Sequence, residues 1–136
     1  MKYNNMVCRW YVNIEDRATR KMVAMNIAGE QVWITGGGSG LGLAGARRLA
    51  SPGGKGTIFD LDDAAAQGEA AKIGASVVKV DVADETSVAS AVDATVGKTG
   101  APRVLVNCAG IGLAARIVGR EGKLSTDVFT KTIHIN

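Results

Sequence analysis

The sequence predicts an α/β fold, a doubly wound parallel sheet with helices on both faces in a three-layer arrangement. Three observations predict it. From Gly29 onward short apolar runs alternate with segments of helical periodicity. The first run, Val32-Trp33-Ile34, enters the glycine-rich turn Thr35-Gly36-Gly37-Gly38-Ser39-Gly40-Leu41-Gly42, and a helical pattern follows at once. A later run, Val104-Leu105-Val106, ends in a second small-residue turn, Asn107-Cys108-Ala109-Gly110. Alternating strand and helix implies parallel strands joined by right-handed crossovers, with the expected strand order 3-2-1-4.

The elements follow in order. A first strand is expected over residues 32–35 and a helix over 42–50, with Leu43, Ala46, Leu49 and Ala50 facing inward. A short second strand over 57–60 leads to Asp62 or Asp63, either of which can cap a helix over 64–72. Gly56 is expected to weaken this strand, because glycine in a strand interior brings entropy and no packing. The third strand spans 76–80. Asp84 caps the next helix, which presents Val88, Ala91, Val92 and Thr95 at helical spacing. Val104-Leu105-Val106 is continuously apolar, as expected of a central parallel strand buried on both faces. Residues 111–125, with Gly112, Gly119 and Gly122, read as a loop, and Asp127 opens a last helix.

Composition bounds the function. With 136 residues, 46% of them apolar, the chain is one domain's worth with enough material for a core. The formal charge of +3 would hint at nucleic acid, but five basic and two acidic side chains fall in residues 1–24. Residues 25–136 therefore carry eleven of each sign and offer no electrostatic footprint for a phosphate backbone. Residues 1–24 contain no long apolar stretch, so neither a secretory signal nor a membrane span is read there. They are expected to be a disordered extension or an upstream start, with the domain proper over 25–136. Two cysteines, Cys8 and Cys108, form no disulfide framework and point to a reducing, cytoplasmic setting.

The two glycine turns fall at the carboxyl ends of the first and fourth strands, the switch point where open α/β sheets bind ligands. Gly36, Ser39, Gly40, Leu41 and Gly42 are candidates to cradle a pyrophosphate at a helix N-terminus. A Walker-type phosphate loop is excluded, since no Lys-Ser or Lys-Thr follows. Asp60 closes the second strand eighteen residues after Gly42, close to the spacing at which a carboxylate meets the adenosine ribose hydroxyls. A carboxylate there repels a 2′-phosphate and so favours NAD over NADP; the plainer alternative is a strand-terminal aspartate beside Asp62 and Asp63. Asp81 can meet an adenine amino group while Val82 packs on the ring, or Asp81 can simply be a turn residue. Asn107, Cys108, Ala109 and Gly110 keep the fourth strand's end slim enough for a cofactor, and the Asn107 side chain can bridge adjacent strands. Cys108 reads as a small filler whose backbone approaches the nicotinamide ribose, since no His, Lys or Arg lies near it in sequence to activate the thiol. His134 reads as structural or solvent-facing. Arg116, Arg120 and Lys123 are either a solvated loop or a contact for an anionic substrate tail. No metal site is read.

These residues in this order resemble the short-chain dehydrogenase/reductase family, whose fold is the Rossmann-type sheet. The resemblance rests on Thr35-Gly36-x-x-x-Gly40-x-Gly42, Asp60, Asp81-Val82 and the Asn107-Cys108-Ala109-Gly110 quartet. Phe129-x-x-x-Ile133-x-Ile135-Asn136 is similar to the helix carrying the family's active-site asparagine. Residues 100–112 and the insertion 116–122 resemble the 3-hydroxyacyl-CoA dehydrogenase group within it. The resemblance implies hydride transfer between NAD and a secondary alcohol or ketone, with a small-molecule substrate such as an acyl-CoA and no nucleic acid or membrane partner. It further implies a homo-oligomer for the full-length form, paired through the last helix and the one after it.

The chain departs from the family at the catalytic positions. Its tyrosines are Tyr3 and Tyr11, and neither is followed four residues later by lysine. Of the four catalytic positions the resemblance implies, only Asn136 is present. The chain is expected to be the cofactor-binding part of a dehydrogenase and inactive alone, with an unpaired fourth strand and marginal stability. A non-catalytic NAD-binding or regulatory module is the alternative. A methyltransferase shares a similar first turn but is disfavoured by the 107–110 quartet and the spacing within 36–42.

Overall fold

The computed structural model describes residues 25–113, 118–119, 122–123 and 126–136. The expectations for residues 1–24 and for Arg116 and Arg120 lie outside the described residues. Four parallel strands form one sheet: β1 (Gln31–Thr35), β2 (Lys55–Asp60), β3 (Ser76–Lys79) and β4 (Val104–Asn107). Their order is β3-β2-β1-β4, as the alternating pattern predicts. Helices α1 (Gly40–Ala50), α2 (Asp63–Ile73) and α3 (Glu85–Thr99) make the crossovers. Within the expected loop, Val118–Gly119 (β5) and Gly122–Lys123 (β6) pair antiparallel before α4 (Thr126–Ile135). Two-residue strands are too short for period-2 patterning to announce them.

The helix boundaries follow from capping. Asp62 caps α2 by accepting a hydrogen bond from Ala65 N at 3.0 Å, and the helix ends at Gly74 in the left-handed region. Asp84 caps α3 by accepting from Thr86 N at 2.9 Å. Arg47 and Arg48 occupy the last turn of α1, where their charge complements the helix dipole.

The two faces of the sheet are packed differently. On one, Val32, Ile34 and Ile58 meet Ala46 of α1 and Ala66 and Ala70 of α2. Alanines bring helix and sheet backbones close together, and Ile58 is 0% exposed. On the other face Trp33 and Phe59, with ring centroids 5.1 Å apart, pack with Val80 and with Ala91 of α3. Burial leaves the Trp33 Nε1 without a hydrogen-bond partner among the described residues.

Three expectations are corrected. β2 begins at Lys55 rather than Thr57, because Gly56 keeps its parallel pairing with Val32 despite having no side chain. β4 is not buried on both faces, since Leu105 is 55% exposed, although its place at the sheet's edge among the described residues is the one expected of an unpaired fourth strand. Val92 of α3 is exposed rather than inward, since α3 reaches the Trp33–Phe59 face through Ala91, Thr95 and Val88. Leu49 is partly buried against the core as expected. The helix α4 has no buried residue, and Phe129 and Ile133 face solvent.

At the α1–α2 surface Glu69 accepts from Lys72 Nζ at 2.7 Å and pairs with Arg47. Lys72 and Arg47 hold its carboxyl below the ordinary carboxylate value. A lowered folded-state pKa adds stability above the usual carboxylate range, and that stability is lost as pH falls through the folded value. The unaltered chain is therefore expected to lose more denaturation midpoint than Glu69→Gln between neutral and acidic pH; parallel pH profiles would contradict this. In the core, Ile58→Ala is expected to cost about 2–5 kcal/mol in chemical denaturation, the range for a large buried aliphatic side chain truncated to alanine.

Candidate functional site

A cleft of about 380 Å³ lies outside the carboxyl ends of the strands, where β1 and β4 part company. Its floor is the glycine turn. Gly36 has φ +63°, and a Cβ on it would stand 2.6 Å from both Cα and N of Ala109. A Cβ on Gly42 would meet the Gly36 carbonyl oxygen at 2.1 Å. The turn between β1 and α1 and the turn after β4 are thus in backbone contact, which no side chain at Gly36 would permit, while Gly42 lets the start of α1 close on the glycine turn itself.

Thr35 fastens this contact. Its Oγ1 accepts from Cys108 N and Ala109 N, each at 3.2 Å, and its carbonyl accepts from Cys108 N at 3.1 Å. Thr35 was not among the site candidates, although it opens the quoted motif. A threonine at a strand end carries no signal of a partner more than seventy residues away.

Each candidate can now be placed. Gly36, Ser39, Gly40, Leu41 and Gly42 line the cleft at the start of α1. Ser39 occupies the N-cap position without bonding the helix through its side chain, and no acidic residue occupies the first turn. The amides of that turn are therefore available to an anion. Gly40, at φ +53°, has open space where a side chain would stand. Leu41 is 87% exposed and forms an apolar lip.

Asp60 lines the cleft at the end of β2. Its Oδ2 accepts from Gly38 N at 2.8 Å and its Oδ1 from Asp62 N at 3.1 Å. The glycine turn thereby orients the carboxylate, a link that the spacing did not reveal. Asp81 and Val82 line the same cleft. Asp81 is also the turn residue of the plainer alternative, with Oδ1 accepting from Ala83 N at 2.9 Å. Val82 packs against the Trp33–Phe59 cluster. Cys108, Ala109 and Gly110 complete the wall, and the Cys108 thiol is free and half-buried.

Asn107 and Asn136 do not line the cleft. Asn107 does not bridge strands: it is exposed and its amide has no partner among the described residues, because the Thr35 hydroxyl takes the bridging place. Asn136 instead closes a loop, its Oδ1 accepting from Ile111 N at 2.8 Å and its Nδ2 donating to Ile111 O at 2.9 Å. Ile111 and Ile135 both line the cleft, so this pair fixes the end of α4 at its rim. His134 lies in a neighbouring shallow groove with Asp81 and Lys131. Among the described residues no cluster of His, Cys, Asp and Glu is suited to a metal, and no helix is long and apolar enough to cross a membrane.

A parallel sheet of order β3-β2-β1-β4, a side-chain-free turn at its switch point and an oriented carboxylate at the end of β2 define the class of dinucleotide-cleft α/β domains. The comparisons with known proteins then name the family. The model of short chain dehydrogenases matches residues 30–136, and the chain belongs to that family. It is 37% identical over 107 residues to the human 3-hydroxyacyl-CoA dehydrogenase type-2, covering 76% of this chain and 41% of that protein. It is 36% identical over 118 residues to Short-chain dehydrogenase reductase 5 of Arabidopsis thaliana, covering 85% of this chain and 44% of that protein. Among solved structures it is similar to a 3-ketoacyl-(acyl-carrier-protein) reductase of Brucella melitensis complexed with NADH, at 36% identity and a TM-score of 0.72, covering 80% of this chain and 45% of that one. The chain thus spans less than half the length of these relatives.

Thr35→Val keeps the shape of the side chain but removes the hydroxyl acceptor, leaving Ala109 N without its partner. The expected loss is about 1–3 kcal/mol in denaturant titration. Wild-type stability in this variant would show that the two turns hold together without the hydroxyl.

Proposed function

We propose that this chain is the cofactor-binding part of an NAD-dependent dehydrogenase that interconverts a secondary alcohol and a ketone, with 3-hydroxyacyl-CoA as the favoured substrate class. The observation that carries the reading is the Asp60 carboxylate, aimed by Gly38 N–H into the cleft that begins at the glycine turn. The substrate class comes from the 3-hydroxyacyl-CoA dehydrogenases among the relatives, and a structural neighbour was solved with NADH.

The residues present fit such a cofactor. Gly40 and the α1 amides offer a slim cradle of positive potential for a pyrophosphate, and Asp60 offers acceptors to ribose hydroxyls. A carboxylate at that point opposes a 2′-phosphate, hence NAD rather than NADP. When bound, the nicotinamide supplies or takes up the hydride. Leu41 at the lip and the wall formed by Cys108 to Gly110 would flank the bound cofactor. Asn136 acts as a positioning residue, since both groups of its side-chain amide are committed to Ile111.

Proton transfer to a ketone needs a tuned acid, and unperturbed tyrosine has a pKa of about 10. Residues 12–136 contain no tyrosine, so the chain as given is assigned binding without turnover. That absence is also what a non-catalytic NAD-binding module would display, and the two readings share the binding step. Cytoplasmic operation fits both.

Titration of the 136-residue chain with NADH, NADPH and S-adenosylmethionine tests the reading. NADH is expected to bind most tightly, and Asp60→Ala to weaken it about tenfold or more while narrowing the gap to NADPH. Tighter binding of NADPH by the unaltered chain, or preference for S-adenosylmethionine, would overturn it. Turnover of 3-hydroxyacyl-CoA by this chain alone would refute the assignment of binding without catalysis.

A further inference from the structure

The glycines of the first turn are glycines for different reasons. Gly40 stands at φ +53° with open space beside it, so conformation demands it. Gly38 is not among the positive-φ glycines, and an alanine can adopt its backbone conformation. What Gly38 lacks is room. A Cβ on it would stand 2.8 Å from Asp60 Oδ2, 3.1 Å from Asp60 Cγ and 3.0 Å from the Ala66 methyl. A single methyl group there would be wedged between the carboxylate of the cleft and the buried face of α2.

The two neighbours differ in how they can respond. Ala66 is fully buried in the cluster with Val32, Ile34 and Ile58, where close packing leaves its methyl no place to move. The Asp60 carboxylate is a side-chain end, held by Gly38 N at Oδ2 and by Asp62 N at Oδ1. Asp62 is also the N-cap of α2, and its carbonyl accepts from Ala66 N at 3.1 Å. The helix that carries Ala66 therefore starts on a bond to the same carboxylate that Ala66 helps to confine. Of the groups around position 38, the carboxylate is the one that yields to an added methyl.

We propose that Gly38 and Ala66 share the room for one methyl group and together form a specificity-determining pair, holding the Asp60 carboxylate where it meets a ribose hydroxyl and opposes a 2′-phosphate. The inference rests on the NAD-binding reading of the cleft. It adds a residue of α2 that does not line the cleft: Ala66 is a positioning residue that acts through the glycine turn, and Gly38 acts through Asp60. Moving the methyl from position 66 to position 38 conserves volume. The turn can then settle toward α2, and the carboxylate keeps its place.

A double-mutant cycle on the 136-residue chain tests it, read by equilibrium titration with NADH and NADPH and by cofactor-free denaturation. Gly38→Ala is expected to weaken NADH about two- to tenfold, the effect of one displaced hydrogen bond, and NADPH less, so that the preference narrows. Adding Ala66→Gly to that variant is expected to restore most of the preference. Ala66→Gly alone is expected to lower the denaturation midpoint, as glycine does inside a helix, and the double variant to be more stable than the two single changes sum to. Gly37→Ala is the structural control, because its Cβ would press on Ile58 Cγ2 at 2.9 Å in the core rather than on the carboxylate. It is expected to lower the denaturation midpoint with the ratio of NADH to NADPH affinity retained. A Gly38→Ala chain with an unchanged ratio, an equal fall of the ratio in Gly37→Ala, or no restoration by Ala66→Gly would overturn the inference and leave the proposed function standing. No preference for NADH in the unaltered chain would overturn that function and the selectivity role with it. Additive denaturation midpoints would overturn the shared room, whatever the chain binds.

Discussion

The backbone of the first glycine turn rests directly on the backbone that follows β4, and the space between them is smaller than a methyl group. That constraint explains why Gly36 bears no side chain and why Thr35 is placed to bond two successive amides. It also sets the width of the cleft, whose floor and one wall are these same two segments. The site is a by-product of how tightly two parallel strands can end.

The rest of the sheet distributes its packing around that fixed corner. Alanine-faced helices lie close on one side, where they anchor the ends of β1 and β2 and thus the carboxylate of Asp60. The opposite side is filled by a tryptophan and a phenylalanine, and α3 contributes little beyond Ala91, Val88 and Thr95. Phe59 belongs both to this aromatic layer and to the cleft lining, so the packing of that face is coupled to the shape of the site.

Much of this was legible in the sequence because it is local. Asp62, Asp84 and Gly74 end or begin helices through bonds spanning a few residues, and glycine spacing alone located the turn. Strand order followed from the alternation of elements. What was not legible depends on distant neighbours. The exposure of Leu105 is not legible in the triplet Val104-Leu105-Val106, because an apolar run reads alike in a central and an edge strand. The bridging role went to Asn107 rather than Thr35 because the sequence does not say which of two paired strand ends supplies the side chain. Asn136 was recognised by resemblance, yet its tie to Ile111 emerges only when α4 is folded back against the loop.

The attachment of α4 has a further consequence. The helix's side chains are not buried, Phe129 and Ile133 are exposed, and the residue after its last turn grips Ile111 through both groups of its amide. A helix that buries none of its side chains contributes less to the cost of opening than the core around Ile58, which is fully buried. Because Ile111 and Ile135 both line the cleft, the Asn136 amide ties the shape of the cleft's rim to the seating of α4, while the floor is set by the glycine turn alone.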